Sequence, residues 1–415
     1  MTKEGFKIYG YRWVVLMVFM AAIAVNQLLW ITFAPITGVA AKYYGVSDLS
    51  IGLLSMSFMI VYIFVSIPAS WVIDTYGFRI AVGIGAVLTA IFGLTRGLAA
   101  DNYTLVLISQ IGIAIGQPFI LNALTKVAAR WFPLQERATA SGLGSLAMYV
   151  GIMLGMILTP LLVLRSGINN MLLIYGAAAV IAGALFLIFS REHPPTPASP
   201  PGQEERSLVF DGLKQMVRMR DFILLMVIFF IGLGVFNSVT TWIEDILRPR
   251  GYSILQAGVI GGVMVIGGIL GAVVLPTLSD RKRRRVPYLI IAIAAATLGL
   301  VGITFAANYT LLLISAFVMG FFLLSAGPIG FQYGAEITYP APEGTSNGML
   351  LMMGQISGIL FILGMDAFKN PETGSMTASL LVLVVLMVVG LLLTTRLKES
   401  TLLTGDVPGG EEAAE

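Results

Sequence analysis

Two stretches decide the reading of this chain: GFQYGAEITYPAPEGTSNG at 330–348, and a shorter counterpart, WFPLQERATASG, at 131–142. Both place an aromatic before a proline (Phe132-Pro133, Tyr339-Pro340) and a Glu three residues after it (Glu136, Glu343). Both then run through small polar residues to a Gly where a new apolar run begins. One copy would be a loop. Two copies about two hundred residues apart imply a duplicated part, one in each half of the chain.

The sequence around them is apolar. Of 415 residues, 57% are hydrophobic and 11% charged, whereas a soluble domain carries about 25% charged residues. Lipid is therefore the expected solvent. A bilayer core takes about 20 apolar residues per helix, and twelve such spans can be marked: 13–36, 50–72, 79–98, 103–126, 138–163, 170–190, 221–247, 254–278, 286–306, 309–333, 345–368 and 377–397. The runs are too long, and alternate too little, for barrel strands. The fold class expected is an all-α membrane protein of twelve transmembrane helices in two six-helix pseudo-symmetric bundles.

The domains expected are 1–190, a first bundle; 191–220, a Pro-rich linker with a short amphipathic helix; 221–398, a second bundle; and 399–415, a disordered acidic tail. The linker REHPPTPASPPGQEERS has five prolines, which forbid a regular helix. Leu208, Val209, Leu213, Met216 and Val217 then share one helical stripe, suiting either a helix on the membrane surface or a solvated one.

Charge gives orientation. With the N-terminus inside, all but six of the 25 Lys and Arg residues fall on the inner side; the six are Lys42, Arg96, Arg165, Arg248, Arg250 and Lys369. Both termini are thus expected in the cytoplasm, and a prokaryotic inner membrane is the expected location. Net charge +3 does not call for nucleic acid. There is no Cys, and the one His, His193, lies in the linker, so no metal or other cofactor is expected. No loop carries a catalytic constellation, so an enzyme is not expected. The partners are a small-molecule substrate and the bilayer, and the chain is expected to act as a monomer.

A second duplication concerns gating. PASWVIDTYGFR follows span two and PTLSDRKRRR follows span eight; each puts an Asp (Asp74, Asp280) at the inner end of a helix, with Arg79 and Arg281 after them. Such an Asp can pair with cations across an inner seam, or simply end a helix. Glu136 and Glu343 sit just before new helices, where carboxylates favour the N-terminus. Glu336 lies at the inner end of span ten, and either pairs with an inner Lys or Arg, such as Lys126 or Arg130, or is a water-exposed cap. Glu244 and Asp245, at the outer end of span seven, read as a solvated end-cap or a lure for cations.

The loop after span two resembles the major facilitator superfamily motif G-x-x-x-D-x-x-G-R-[KR], kept here at Asp74, Gly77 and Arg79. E-I-T-Y-P…E-G-T-S in 336–346, P-A-S-W-x-x-D in 68–74, GQPFILNALTKVAARWFP in 116–133 and GVFNSVTTW in 234–242 are similar to the feline leukaemia virus subgroup C receptor-related transporters. The likeness covers most of spans one to eleven. It implies alternating access without ATP, and a family whose animal members are associated with choline, ethanolamine and haem. Haem would lack an axial His or Cys in the membrane.

The resemblance also implies a pocket near the bilayer midplane. Trp30 and Gln117 match the family's choline-site Trp and Gln. A desolvated indole face holds a quaternary ammonium with roughly 2 kcal/mol. Packing roles for both are the alternative. Asn26 lies a turn before Trp30, and Gln355 matches a family Gln. Asn237 stands where animal members have a Tyr; Phe33, Tyr149, Trp242 or Phe331 would have to supply the missing aromatic wall. No Asp, Glu, Lys or Arg lies near the centre of any span, and the superfamily's span-four Arg is here Gln110. A uniporter of a small amine such as choline is the leading expectation. A proton-coupled transporter of organic anions or drugs, with Glu336 or Asp366 as its carboxylate, and a non-transporting receptor are the alternatives.

Overall fold

The computed structural model describes residues 8–196, 213–339 and 343–400, and these are almost wholly helical. The helices are α1 (Arg12–Ile31), α2 (Thr37–Tyr44), α3 (Asp48–Tyr76), α4 (Phe78–Leu98), α5 (Tyr103–Leu121), α6 (Leu124–Trp131), α7 (Leu134–Phe189), α8 (Leu213–Met216), α9 (Arg220–Thr241), α10 (Ile243–Leu247), α11 (Ile254–Lys282), α12 (Val286–Phe305), α13 (Tyr309–Thr338), α14 (Glu343–Ala367) and α15 (Thr377–Thr394). Among the described residues, eleven helical stretches are long and apolar enough to cross a membrane. One of them, Thr139–Phe189, is 51 residues long. At about 1.5 Å per residue it far exceeds a hydrocarbon core of about 30 Å. It bends at Gly167 (φ 79°, ψ 171°), a conformation open to glycine. Counted as two crossings, it brings the total to the twelve expected from the sequence.

Lipid explains why helices are the only regular element among the described residues: every backbone group must be paired within the chain. It also explains the surface. Phe64, Leu98, Ile188 and Leu298 are each 69–73% exposed, which water would penalise and acyl chains would not. Helix starts are marked by side-chain caps at Ser47, Asn102 and Asn308, each accepting from the backbone N–H three residues on.

The chain divides into two compact units. The first gathers the described residues of Met1–Leu208 with Ser238–Val265 and Ile362–Met376. The second holds the described residues of Val209–Asn237, Ile266–Phe361 and Thr377–Glu415. In the first, Val15, Phe19, Phe78, Val82, Trp131 and Phe186 belong to one buried apolar cluster. Helices α4 and α5 meet at Gly85 and Gly116, where a Cβ on either would lie 2.6–2.7 Å from the other's carbonyl oxygen.

Most of the expected linker (197–212), most of the acidic tail (401–415) and Pro340–Pro342 lie outside the described residues. Of the expected amphipathic helix, Leu213–Met216 is described as a single turn, with Met216 buried and Val217 exposed.

Candidate transport site and gates

Pro35 has no N–H to give, so α1 stops at Ile31 and the chain passes through a 3-10 turn, Ala34–Ile36, into α2. Trp30 sits on that last turn. It is 6% exposed, and its Nε1 donates to the Ser55 carbonyl of α3 at 3.1 Å, which fixes the indole edge. Asn26 is fully buried; its Nδ2 donates to Thr89 Oγ1 of α4 at 3.2 Å, and its Oδ1 accepts from Gln27 at 3.4 Å. Its amide is thus already occupied by the protein. Gln117, buried on α5 beside Pro118, makes no hydrogen bond within the described residues, and neither does half-buried Tyr149 on α7. Phe33 is sealed, with the Arg96 guanidinium 5.7 Å from its ring.

In the second unit, Asn237 Nδ2 donates to the Gly354 carbonyl at 3.2 Å, next to half-buried Gln355. Gly234, one turn earlier, allows this approach: a Cβ there would lie 2.7 Å from Ser357 Oγ and from the Phe361 ring. Trp242, considered as a substitute aromatic wall, belongs to the first unit and is fully buried. It donates to the Ile362 carbonyl at 3.1 Å and packs on Gly52.

Sequence counting placed Arg96 among the outer cations. The structure buries it completely. Its guanidinium donates to Gln110 Oε1 at 2.6 Å, to the Leu29 carbonyl at 3.1 Å and to Thr32 Oγ1 at 3.4 Å. Among the described residues it has no carboxylate partner. The signal was available in Gly93-x-x-Arg96-Gly97: the two glycines let α7 close over the arginine, with Leu173 backbone 2.9 Å from where a Gly97 Cβ would be.

At the Lys/Arg-rich end of the first unit, Asp74 pairs with Lys126 at 3.5 Å and Glu136 with Arg12 at 3.1 Å. Glu192, just after α7, accepts from the backbone N–H of Phe78 at 3.2 Å and of Arg79 at 2.8 Å, capping α4. The Arg79 side chain is exposed.

At the corresponding end of the second unit, Glu336 pairs with an Arg of the basic run after α11, Arg285, at 2.9 Å, and Gln332 donates to it at 3.1 Å. Asp280 is likewise held by Arg285, while Arg281 points to solvent. The physical reason is the turn after α11. Arg283 takes a left-handed φ of 51°, and the N–H groups of Arg283 and Arg284 return to the carbonyls of Asp280 and Ser279. The chain doubles back, so the fifth basic residue, not the first, reaches the carboxylates. Glu399 then caps α12, accepting from Arg285 N and Val286 N at 3.0 Å. Burial works against the Arg285 charge, but Glu336 and Asp280 outweigh it and hold its pKa above the ordinary arginine value. Glu343 is the first residue of α14; its side chain lies outside the described set.

The opposite end of the first unit was read as a solvated cap, and it is a buried ion network. Glu244 is 3% and Asp245 0% exposed. Asp48 accepts from both Arg248 and Lys369 at 2.7 Å. Lys369 also bonds Asp245 at 2.7 Å, and Arg248 bonds Asp245 and, at 3.3 Å, Glu244. Glu244 further accepts from Gly38 N at 2.9 Å. Burial raises the pKa of Glu244 against the pull of Arg248, and that of Asp245 against Lys369 and Arg248. Burial would lower Lys369, but its hydrogen bonds to Asp245 and Asp48 raise it. Hydropathy could not show this, because the partners come from three distant segments.

The model of the Major Facilitator Superfamily matches residues 15–362. Solute carrier family 49 member A3 of Danio rerio is 33% identical over 381 residues, covering 88% of this chain and 80% of that protein. The choline/ethanolamine transporter FLVCR1 of Felis catus is 30% identical over 415 residues, covering 93% and 72%. In fold, the chain is similar to a bacterial homologue of the human lysosomal transporter Spinster, with a TM-score of 0.73, 18% identity, and coverage of 94% and 98%. The duplicated motifs, the polar groups set into apolar helices and these likenesses lead to one conclusion: the chain is a membrane transporter of the Major Facilitator Superfamily, related to the feline leukaemia virus subgroup C receptor-related and solute carrier 49 proteins, and not an enzyme.

Proposed function

We propose that the chain carries a small organic cation of the choline or ethanolamine class by facilitated diffusion. The observation that carries this reading is the presence, within one unit, of an indole fixed at its edge (Trp30) and of a buried residue, Gln117, whose amide makes no hydrogen bond within the described residues. With Nε1 engaged by Ser55, the π face is what Trp30 offers a ligand, and cation–π attraction there is worth roughly 2 kcal/mol when desolvated. The Gln117 amide suits a hydroxyl or amine. Relatives named choline/ethanolamine transporters support the substrate class. Asn237, bonded to Gly354, leaves the second unit more polar than an aromatic cage.

The mode follows from charge. Arg96 does not release its proton at physiological pH, and Glu336 is committed to Arg285. A fixed-charge carrier lets the membrane potential drive a cation, by about 2.3 kcal/mol per charge per 100 mV. The Asp48–Glu244–Asp245–Arg248–Lys369 network serves as the outer gate, and the Asp74, Glu136 and Glu336 pairs as inner latches. Both termini are placed in the cytoplasm, and a monomer is taken as the transporting unit.

A second reading, a carrier of organic anions, is favoured by one observation: Arg96 is a buried cation without a carboxylate. Choline uptake into proteoliposomes, under an imposed potential and then a pH gradient, separates them. Potential-driven uptake lost in Trp30→Ala and Gln117→Ala is the expected result. No choline uptake, with anion uptake under a proton gradient, would sink it.

A further inference from the structure

We propose that Arg96 is a positioning residue that holds the Trp30 indole in register for the substrate; this rests on the reading of Trp30 given above. At the break in α1 the helix ladder ends, and its carbonyls need other donors. Thr32 Oγ1 returns to Leu28 O at 2.9 Å, and Thr37 Oγ1 to Ala34 O at 3.2 Å. The Leu29 carbonyl, on the residue before Trp30, receives two donors: Arg96 Nη1 at 3.1 Å and Gln110 Nε2 at 3.3 Å. Arg96 in turn donates to Gln110 Oε1, so α1, α4 and α5 close a small ring of hydrogen bonds at that peptide. The Phe33 ring, three residues beyond Trp30, packs against the same guanidinium.

Helix α4 adds a second point of attachment. Thr89 is two turns before Arg96 and so lies on the same helix face. It accepts from Asn26, one turn before Trp30. Two residues of α4 therefore bracket the turn of α1 that carries the indole, while Ser55 of α3 takes its edge. A planar fork is needed to reach Leu29, Gln110 and Thr32 together. Lysine would carry the charge without that geometry. Burying an arginine without a carboxylate is costly, which argues that its place is set by what it holds.

The test reads Trp30 directly. The protein has five tryptophans, so labelling with 5-fluorotryptophan gives five resonances, and Trp30→Phe identifies one. Arg96→Gln is expected to shift or broaden the Trp30 resonance and leave Trp13 and Trp71 in place. An unmoved Trp30 resonance in folded Arg96→Gln would overturn the proposal. For choline transport, Arg96→Gln should raise KM about tenfold, as loss of a hydrogen bond from a charged donor does, with Vmax within about twofold. In the double variant with Trp30→Ala the losses should not add; full additivity would count against the coupling. Arg96→Lys should recover only a small part, and complete recovery would show that charge alone matters. If Arg96→Gln does not fold, Gln110→Leu is measured in the same way, and it too should move the Trp30 resonance. A shifted resonance with no choline transport by the parent protein would leave Arg96 in its role and remove choline as the substrate.

Discussion

The starts of α4 and α12 are built on one plan with different side chains. A glutamate just past the last helix of each repeat, Glu192 and Glu399, returns to cap the earlier helix. The residue before each is pinned by a ring donor: Trp131 Nε1 on the Arg191 carbonyl at 3.0 Å, and Tyr333 Oη on the Lys398 carbonyl at 2.6 Å. The turn entering each helix has one positive φ, Gly77 at 87° and Arg283 at 51°. Glu192 and Glu399 are 207 positions apart, as are Glu136 and Glu343. The charges diverge. Arg79 and Arg285 each follow their Asp by five residues. Arg79 is exposed, whereas Arg285 is buried between Asp280 and Glu336. Duplication has kept the backbone frame and changed the partner: Asp74 pairs with Lys126 of α6, whereas Asp280 pairs with Arg285 of its own turn.

The largest break in the comparison is expected from Arg285→Ala. It leaves Glu336, with a side chain 9% exposed, as a buried charge, and removing one partner of such a pair costs about 3–5 kcal/mol. Thermal unfolding in detergent should show it. Next comes Gly77→Ala. The backbone there (φ 87°, ψ 165°) suits glycine alone, and the new methyl would fall on the Glu192 carboxylate. Strain plus the lost cap should cost about 2–3 kcal/mol in the same assay. Arg283→Gly should do the reverse, stabilising the second copy by about 1 kcal/mol because the left-handed penalty disappears; no gain would mean that the Arg283 side chain compensates.

A smaller effect is expected from pH at the Asp48–Lys369 network. Lys369 is raised above 10.5, so its contribution is complete below that value and is lost only as the pH rises through the raised pKa. On the acid side the carboxylates oppose one another: Glu244 and Asp245 are raised by burial, while Asp48 is lowered by its hydrogen bonds from Lys369 and Arg248 against its own burial. Unfolding temperature should therefore fall on the alkaline side, and less steeply in Lys369→Met. The smallest effect is Arg79→Ala, within about 0.5 kcal/mol, against the several expected at Arg285.

The spans were legible because length and apolarity alone define them, and the twin motifs because local spacing survives duplication. What escaped depends on where the chain returns. Glu192 caps a helix more than a hundred residues upstream, and no local pattern marks that. Arg281 and Arg285 are equal in a charge count; the left-handed turn at Arg283 tells them apart. Arg96 was only counted on the outer side, because it stands near a helix end, and a charge count does not show burial. Glycines at 93 and 97 put a helix over it. The places where sequence reasoning failed are thus the places where a polar side chain is satisfied by groups that the fold, not the local sequence, brings to it.

One earlier feature bears on how the protein is made. Helix α7 turns at Gly167 with no loop between its arms, Arg165 being the one charged residue near the bend. During biosynthesis the two arms leave the ribosome as a single 51-residue apolar stretch. Polar chain flanks the pair, at 131–142 and 191–206, but only the bend at Gly167 lies between the arms, which is the arrangement of a helical hairpin. The topology of every later crossing is then inherited from one glycine's willingness to reverse the chain.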